Sequence, residues 1–128
     1  HRAAHHARPF DITLGRLGVF PESGPASVLW IGVQEGGIPL AALASSVEEE
    51  LVGCGFAPEN RVFVPHITVA RIAVLKGVDP YRPLSHNTLD VTGRTQSIRQ
   101  LVLYESRPVT TGARYSVMDR AVLGRPTG

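Results

Sequence analysis

Residues 65–71, Pro-His-Ile-Thr-Val-Ala-Arg, hold the most informative group of chemically active side chains in this sequence. Side chains alternate between the two faces of a strand, so His66 and Thr68 point the same way. An imidazole moves a proton while a neighbouring hydroxyl holds a non-bridging oxygen, and the pair therefore suits a phosphoryl group. Arg71 falls on the opposite face of an ideal strand, but a β-bulge or the strand end would bring its guanidinium to the same phosphate.

The other candidate residues are weaker, and the His-x-Thr spacing is itself also typical of an ordinary exposed sheet surface. His1, His5 and His6 could chelate a metal adventitiously at a frayed terminus. Cys54 lies on the apolar side of a predicted helix and is expected to be a small core residue. The sequence contains no Gly-x-Ser-x-Gly elbow, phosphate-cradling P-loop or Gly-x-Gly-x-x-Gly turn.

Composition sets the class of protein. The chain has 128 residues, a net charge of +2 and a single lysine, Lys76, which fits one globular domain and excludes a polybasic arm. The lone cysteine excludes a disulfide scaffold and a Cys-rich zinc site, and it favours a reducing compartment such as the cytoplasm. No apolar run approaches the roughly 20 residues of a membrane span, and the first residues lack the apolar core of a signal peptide.

The elements that must position His66 are mostly strands. Phe10, Ile12 and Leu14 alternate with polar residues, and residues 28–33 form a continuous apolar run typical of a central strand. Apolar residues recur at helical spacing from Leu40 to Cys54. The predicted strands are residues 9–14, 28–33, 66–72, 88–92, 97–106 and 113–123, with connections at residues 15–25 and 76–87. This order predicts an α+β fold with a mostly antiparallel sheet and one helix packed on it.

The motif resembles the second His-x-Thr-x motif of the two-histidine (2H) phosphoesterases. It is most similar to their RNA 2′,3′-cyclic phosphodiesterase branch, also described as 2′-5′ RNA ligases. Other segments resemble this family in the same order along nearly the whole chain: the strand from Pro9 with the turn Gly18-Val19-Phe20-Pro21, the central strand at residues 28–33, Phe63-x-Pro65-His66, and the C-terminal pair at residues 101–106 and 112–115.

The resemblance implies a fold and a mechanism. The fold is two similar lobes, each an antiparallel sheet backed by helices, facing across a cleft. Each lobe contributes one His-x-Thr, and no metal or other cofactor takes part. Carried over, His66 is one acid/base residue, Thr68 binds the phosphate beside it, and Arg71 is a phosphate contact. An aromatic side chain would stack on a base, with Phe20, Phe63 and Tyr104 as candidates. The expected partners are RNA ends or small cyclic nucleotides, bound by a monomer.

The sequence departs from the family where its first His-x-Thr motif should lie, upstream of Pro9. Residues 2–7 resemble only the tail of the first helix, so we expect residues 1–128 to form a single domain incomplete at its N-terminus. His86-Asn87-Thr88 is the nearest other match in form, and Asp11-Ile12-Thr13-Leu14 is interpreted as structural. The chain could be truncated, could be a genuine short form, or could use His1, His5 or His6 as its second imidazole. Loss of a strand and most of a helix would expose apolar surface, which a dimer could hide.

Three functions follow from these observations. The leading hypothesis is a hydrolase that opens RNA 2′,3′-cyclic phosphate ends to 2′-phosphates by metal-free histidine catalysis, with 2′-5′ RNA ligase activity at the same site. The alternative is a catalytically silent RNA- or nucleotide-phosphate-binding domain, because the first His-x-Thr motif is absent. The third is an α+β domain that binds no ligand.

Overall fold

The structure is a computed structural model that describes residues 1–21, 23, 27–71 and 92–124. In chain order its elements are α1 (Arg2–His6), β1 (Phe10–Phe20), β2 (Val28–Glu35), α2 (Gly37–Gly53), β3 (His66–Arg71), β4 (Thr95–Ile98), β5 (Gln100–Val109) and β6 (Gly112–Val122). The predicted loop at residues 76–87, with His86, and the predicted strand at residues 88–92, apart from Thr92, lie outside the described residues. Two helices and antiparallel strand pairs confirm the predicted α+β class.

Two compact units make up the chain. The first comprises residues 1–10, 43–59 and 98–128, of which the last four lie outside the description, and the second comprises residues 11–42 and 60–97. The second unit is built on a four-stranded sheet in the order β3-β2-β1-β4, in which β2 pairs antiparallel with both β1 and β3. The first unit is built on the two-stranded antiparallel sheet β5-β6. Each unit therefore has a sheet of its own.

The four-stranded sheet keeps its apolar core on one face. Its buried and half-buried core residues are Leu17, Val19, Leu29, Ile31 and Ala70. Gly18 and Trp30 form a cross-strand pair on the opposite face. A Cβ atom at Gly18 would lie 2.1 Å from Cζ2 of Trp30, so only glycine leaves room for the indole here.

The predicted connection at residues 15–25 is wrong in its first part, because β1 continues to Phe20. Glycines usually weaken or interrupt strands, but Gly15 and Gly18 both lie within the paired strand β1. Gly15 lies at a register shift between β1 and β2, and Gly18 accommodates an aromatic ring. Because Leu17 and Val19 alternate into the core, the strand continues past both glycines.

The first unit packs α1 and the part of α2 from Leu43 onward with the two-stranded sheet. Its buried core residues are Ala4, Leu43, Ala121 and Leu123. The residues interpreted as the tail of a first helix are helical and form α1, and the predicted central helix is confirmed as α2. Nε of Arg2 donates a 2.8 Å hydrogen bond to Glu50, which links the helices and raises the pKa of Arg2. No helix among the described residues is both long and apolar enough to cross a membrane.

Two further predictions are corrected. Cys54 is exposed rather than part of the core, because α2 ends at Gly53 and the cysteine lies in the turn that follows it. The predicted single strand at residues 97–106 is divided at Arg99 into β4 and β5. The carbonyl oxygen of Arg99 accepts a 2.9 Å hydrogen bond from the amide of Leu123 there. The break lets the two strands enter different sheets.

Candidate active site

His66 and Thr68 lie on the face of the four-stranded sheet opposite its core. His66 pairs with Gly32 and Thr68 pairs with Trp30 across the antiparallel β2–β3 ladder. Paired residues share a face, and alternate residues along a strand do so as well. The structure thus brings the imidazole and the hydroxyl to one side, as alternation along the strand predicts. Both residues are exposed.

A β-bulge at Val69 brings Arg71 to the same face. Thr68 pairs with Trp30, but the next paired residue of β3 is Ala70, which faces Leu29, so Val69 is an extra residue without a partner. Ala70 therefore packs against the core, and Arg71, paired with the residue two before Trp30, follows on the outer face. Of the two arrangements that the spacing of His66 and Arg71 allowed, a bulge or the end of the strand, β3 contains the bulge.

The imidazole of His66 is held by the backbone that precedes it. Its Nδ1 lies 2.6 Å from the carbonyl oxygen of Val64. A carbonyl oxygen only accepts hydrogen bonds, so Nδ1 carries the proton and donates it. In the neutral ring, Nε2 then has its lone pair free and is the nitrogen that can take up or release a proton.

Two aromatic rings surround this imidazole. The ring of Phe20 meets His66 edge-on, with centroids 5.2 Å apart and an interplanar angle of 88°, and Trp30 lies 6.1 Å away. The Phe20 and Trp30 rings are themselves 5.1 Å apart. Nε1 of Trp30 is buried and has no hydrogen-bond partner among the described residues. The indole is therefore held by packing against its neighbours.

The three aromatic candidates from the sequence are separated by the structure. Phe20 contacts His66, whereas Tyr104 belongs to the first unit and packs edge-on against Tyr115, with centroids 6.4 Å apart. Phe63 is 48% exposed. The sequence reasoning missed Trp30, which it placed only within a buried apolar run. The alternation of Trp30 with Gly32 along β2 was the available signal.

The remaining candidates take part in other contacts. The Oδ1 atom of Asp11 accepts a 2.7 Å hydrogen bond from Ser97, and Thr13 donates to Glu35 at 3.3 Å, which agrees with a structural role for this segment. His1, in the first unit, lies 2.7 Å from Asp119 through its Nε2 atom. No group of three His, Cys, Asp or Glu side chains that could hold a metal ion occurs within the described ranges.

Comparison with known proteins identifies the family. Residues 1–98 match the model of the 2′-5′ RNA ligase superfamily. The chain is 31% identical over 125 residues to the RNA 2′,3′-cyclic phosphodiesterase of Geobacillus stearothermophilus, covering 98% of this chain and 39% of that protein. It is 34% identical over 119 residues to the protein of the same name from Aquifex aeolicus, covering 91% of this chain and 62% of that protein. The chain thus spans less than two thirds of the length of both curated relatives.

Solved structures agree with this result. A protein of Thermus thermophilus superimposes with a TM-score of 0.65 and 25% identity, over 97% of this chain and 66% of that chain. The E. coli LigT structure complexed with 3′-AMP superimposes with a TM-score of 0.67 and 24% identity, over 96% of this chain and 65% of that chain. The fold is shared with both structures, and the family model covers more than half of the sequence. This chain belongs to the 2′-5′ RNA ligase superfamily.

Proposed function

We propose that this chain acts on RNA 2′,3′-cyclic phosphate ends and opens them to 2′-phosphates, with His66 as a proton-transfer group and Thr68 and Arg71 as phosphate contacts. The observation that carries the proposal is the presence of these three side chains on one sheet face, where the bulge at Val69 aligns Arg71 with the other two. The shared name of the two curated relatives supports the substrate class.

The phosphate is held by two kinds of donor. The guanidinium of Arg71 presents a planar fork that matches two phosphate oxygens at once. The hydroxyl of Thr68 donates to a non-bridging oxygen and lies nearer to His66 along the strand. Together these donors make the phosphorus more electrophilic, and they stabilise the negative charge that develops on the phosphate oxygens as water adds.

Ring opening requires two proton transfers. A water oxygen bonds to phosphorus and gives up a proton, the bond between phosphorus and the 3′ oxygen breaks, and that oxygen gains a proton. His66 performs one transfer through Nε2, because Nδ1 is engaged by Val64. The other transfer needs a second group, or bulk water at a lower rate. When a ribose 5′-hydroxyl replaces water, the same steps join two RNA ends through a 2′-5′ linkage.

The ligand is a short RNA end or a small cyclic nucleotide. A net charge of +2 suits contact with a few phosphates rather than a long duplex. The LigT structure that the fold resembles was solved with 3′-AMP, and nucleotide binding by this chain is consistent with that ligand. With its single cysteine, we place the protein in the cytoplasm.

A second candidate function follows from the histidines. Among the described residues of the second unit, His66 is the only imidazole, while Thr68 and Arg71 still form a phosphate grip. A domain with that grip and one proton-transfer group would bind a nucleotide phosphate without turning it over. We propose nucleotide-phosphate binding as the function of the chain if hydrolysis is not observed.

The test is turnover of 2′,3′-cyclic AMP by the 128-residue chain with chelator present, beside His66→Ala. We expect 2′-AMP as the product and a loss of roughly 10²–10⁴-fold in kcat for the variant, the range for one general acid or base. Glu49→Gln, an exposed change on α2, is the control and should keep full activity. Undiminished turnover by His66→Ala, or release of 3′-AMP, would overturn the hydrolase proposal. Binding of 2′-AMP without turnover would support the binding function instead.

A further inference from the structure

A cavity of about 540 Å³ opens in the second unit beside the strand pair that carries His66. It is lined chiefly by Gly15, Arg16, Trp30, Gly32, Gln34 and Thr92. Ligand pockets commonly measure about 300–1,000 Å³, so the volume is sufficient for one nucleoside. Of these residues, only Trp30 and Gly32 were described as neighbours of His66 in the candidate active site. Neither of them was proposed to contact the substrate.

Strand register places this cavity next to the imidazole. Gly32 is the direct partner of His66, and adjacent strands lie about 4.8 Å apart. Trp30 and Gly32 alternate along β2, so both belong to the face that carries His66 and Thr68. Gln34 lies at a register shift between β1 and β2 and lines the same cavity. A Cβ atom at Gly32 would lie 3.2 Å from the Trp30 ring and 3.3 Å from the carbonyl oxygen of Arg16, so glycine keeps this wall open.

The lining has the chemistry of a nucleotide site. Trp30 offers a flat aromatic surface, Gln34 an exposed amide with donors and an acceptor, and Arg16 an exposed cation. The hydroxyl of Thr92 donates a 3.3 Å hydrogen bond to the carbonyl oxygen of Gly15, so its proton is already engaged by another lining residue. None of the described residues that line the cavity carries a carboxylate. A flat apolar surface with an amide and a positive charge fits a heteroaromatic base that is attached to a phosphate.

We infer that this cavity receives the nucleobase of the nucleotide whose phosphate lies at Thr68 and Arg71, and that Gln34 selects adenine. The inference rests on the proposed function. The amide of glutamine matches adenine in a bidentate manner, because its oxygen accepts from N6–H and its NH₂ group donates to N7. Uracil presents its donor and acceptor, N3–H and O4, on a different edge of a smaller ring, so a uracil lying on Trp30 does not offer them to Gln34 in the same position. Gln34 is thus a specificity-determining residue, and Trp30 forms the surface on which the base lies.

The experiment uses Trp30 as its own reporter, since it is the only tryptophan of the chain. The fluorescence of the 128-residue chain is titrated with 2′-AMP, 2′-UMP and inorganic phosphate. We expect 2′-AMP to change the emission at lower concentration than 2′-UMP, and inorganic phosphate to change it little. In Gln34→Ala the Kd for 2′-AMP should rise about tenfold or more, the value of one good bidentate base contact. The Kd for inorganic phosphate, measured by calorimetry, should stay unchanged.

Gln96→Ala is the matched control, because Gln96 is an exposed strand glutamine of the same unit outside the cavity lining. A control that weakens 2′-AMP as much as Gln34→Ala does would overturn the inference. Equal affinities for 2′-AMP and 2′-UMP in the wild-type chain would also overturn it. Circular dichroism of both variants verifies that each is folded before its affinity is compared.

Turnover separates this inference from the proposed function. If 2′,3′-cyclic AMP and 2′,3′-cyclic UMP are hydrolysed with equal kcat/KM, and Gln34→Ala changes neither, the base cavity fails while the hydrolase stands. If nothing is hydrolysed but 2′-AMP binds with the expected dependence on Gln34, the hydrolase fails while the base cavity stands. Absence of both turnover and 2′-AMP binding overturns both.

Discussion

The carbonyl oxygen of Val64 accepts a 2.6 Å hydrogen bond from Nδ1–H of His66, two residues further along the chain. Val64 precedes Pro65, and a residue before proline is restricted to extended backbone conformations. The direction of this carbonyl is therefore largely set by local sequence before the sheet forms. A single short segment thus supplies the imidazole that we propose for proton transfer and also holds it in one tautomer.

The neutral form of His66 should accordingly carry its proton on Nδ1. Nitrogen NMR spectra of histidine-labelled protein distinguish the two tautomers by the chemical shifts of the ring nitrogens. We expect the His66 signals to show a protonated Nδ1 and an unprotonated Nε2 in the neutral ring. His5, which is exposed, provides an internal comparison. A His66 ring protonated mainly at Nε2 would contradict the role assigned to the Val64 carbonyl.

Because of the bulge at Val69, we expect 2′-AMP binding to require the arginine at position 71 of β3 and not at position 70. Arg71→Ala should weaken 2′-AMP binding by about 1.5–3 kcal/mol, the usual contribution of a hydrogen bond to a charged group. Moving the arginine one residue back, in the double variant Ala70→Arg/Arg71→Ala, should not restore affinity, because position 70 packs against the core. Isothermal titration calorimetry measures both. Recovery of affinity in the double variant would show that β3 is regular in solution.

The hydroxyl of Thr68, rather than its methyl group, should matter for catalysis. Thr68→Val keeps the shape of the side chain but removes the donor, and we expect kcat/KM for 2′,3′-cyclic AMP to fall about tenfold or more. Thr68→Ser keeps the hydroxyl and should retain most of the activity. Equal impairment of the two variants would instead indicate that Thr68 acts through packing beside Trp30.

Gly18 should be intolerant of any side chain. In Gly18→Ala the new Cβ atom would lie 2.1 Å from Cζ2 of Trp30, and overpacking of this kind costs about 1–3 kcal/mol. We expect a lower Tm in thermal unfolding and a shifted Trp30 emission. Gly53→Ala is the control, since open space surrounds Gly53 at the end of α2 and alanine there should be neutral or stabilising. A Gly18→Ala variant as stable as this control would contradict the packing described here.

Prediction from sequence succeeded where a pattern is local. Helical spacing identified α2, and alternation put His66 and Thr68 on one face. It failed where a residue's role depends on a distant partner. Glycines such as Gly15 and Gly18 are typical of a connection between strands. Both nevertheless lie inside β1, because this part of β1 pairs with β2. Cys54 follows the apolar spacing of α2, but the helix ends one residue before it.

The sequence by itself determined which residues could do chemistry and which neighbours share a face, because both follow from residue type and from the period of a strand. Only the tertiary structure decided that Arg71 joins His66 and Thr68, since a bulge exists only relative to the partner strand β2. The same holds for Phe20 and Trp30. Their rings reach His66 because three strands lie side by side, and hydrogen bonding between strands, not spacing along the chain, sets that arrangement.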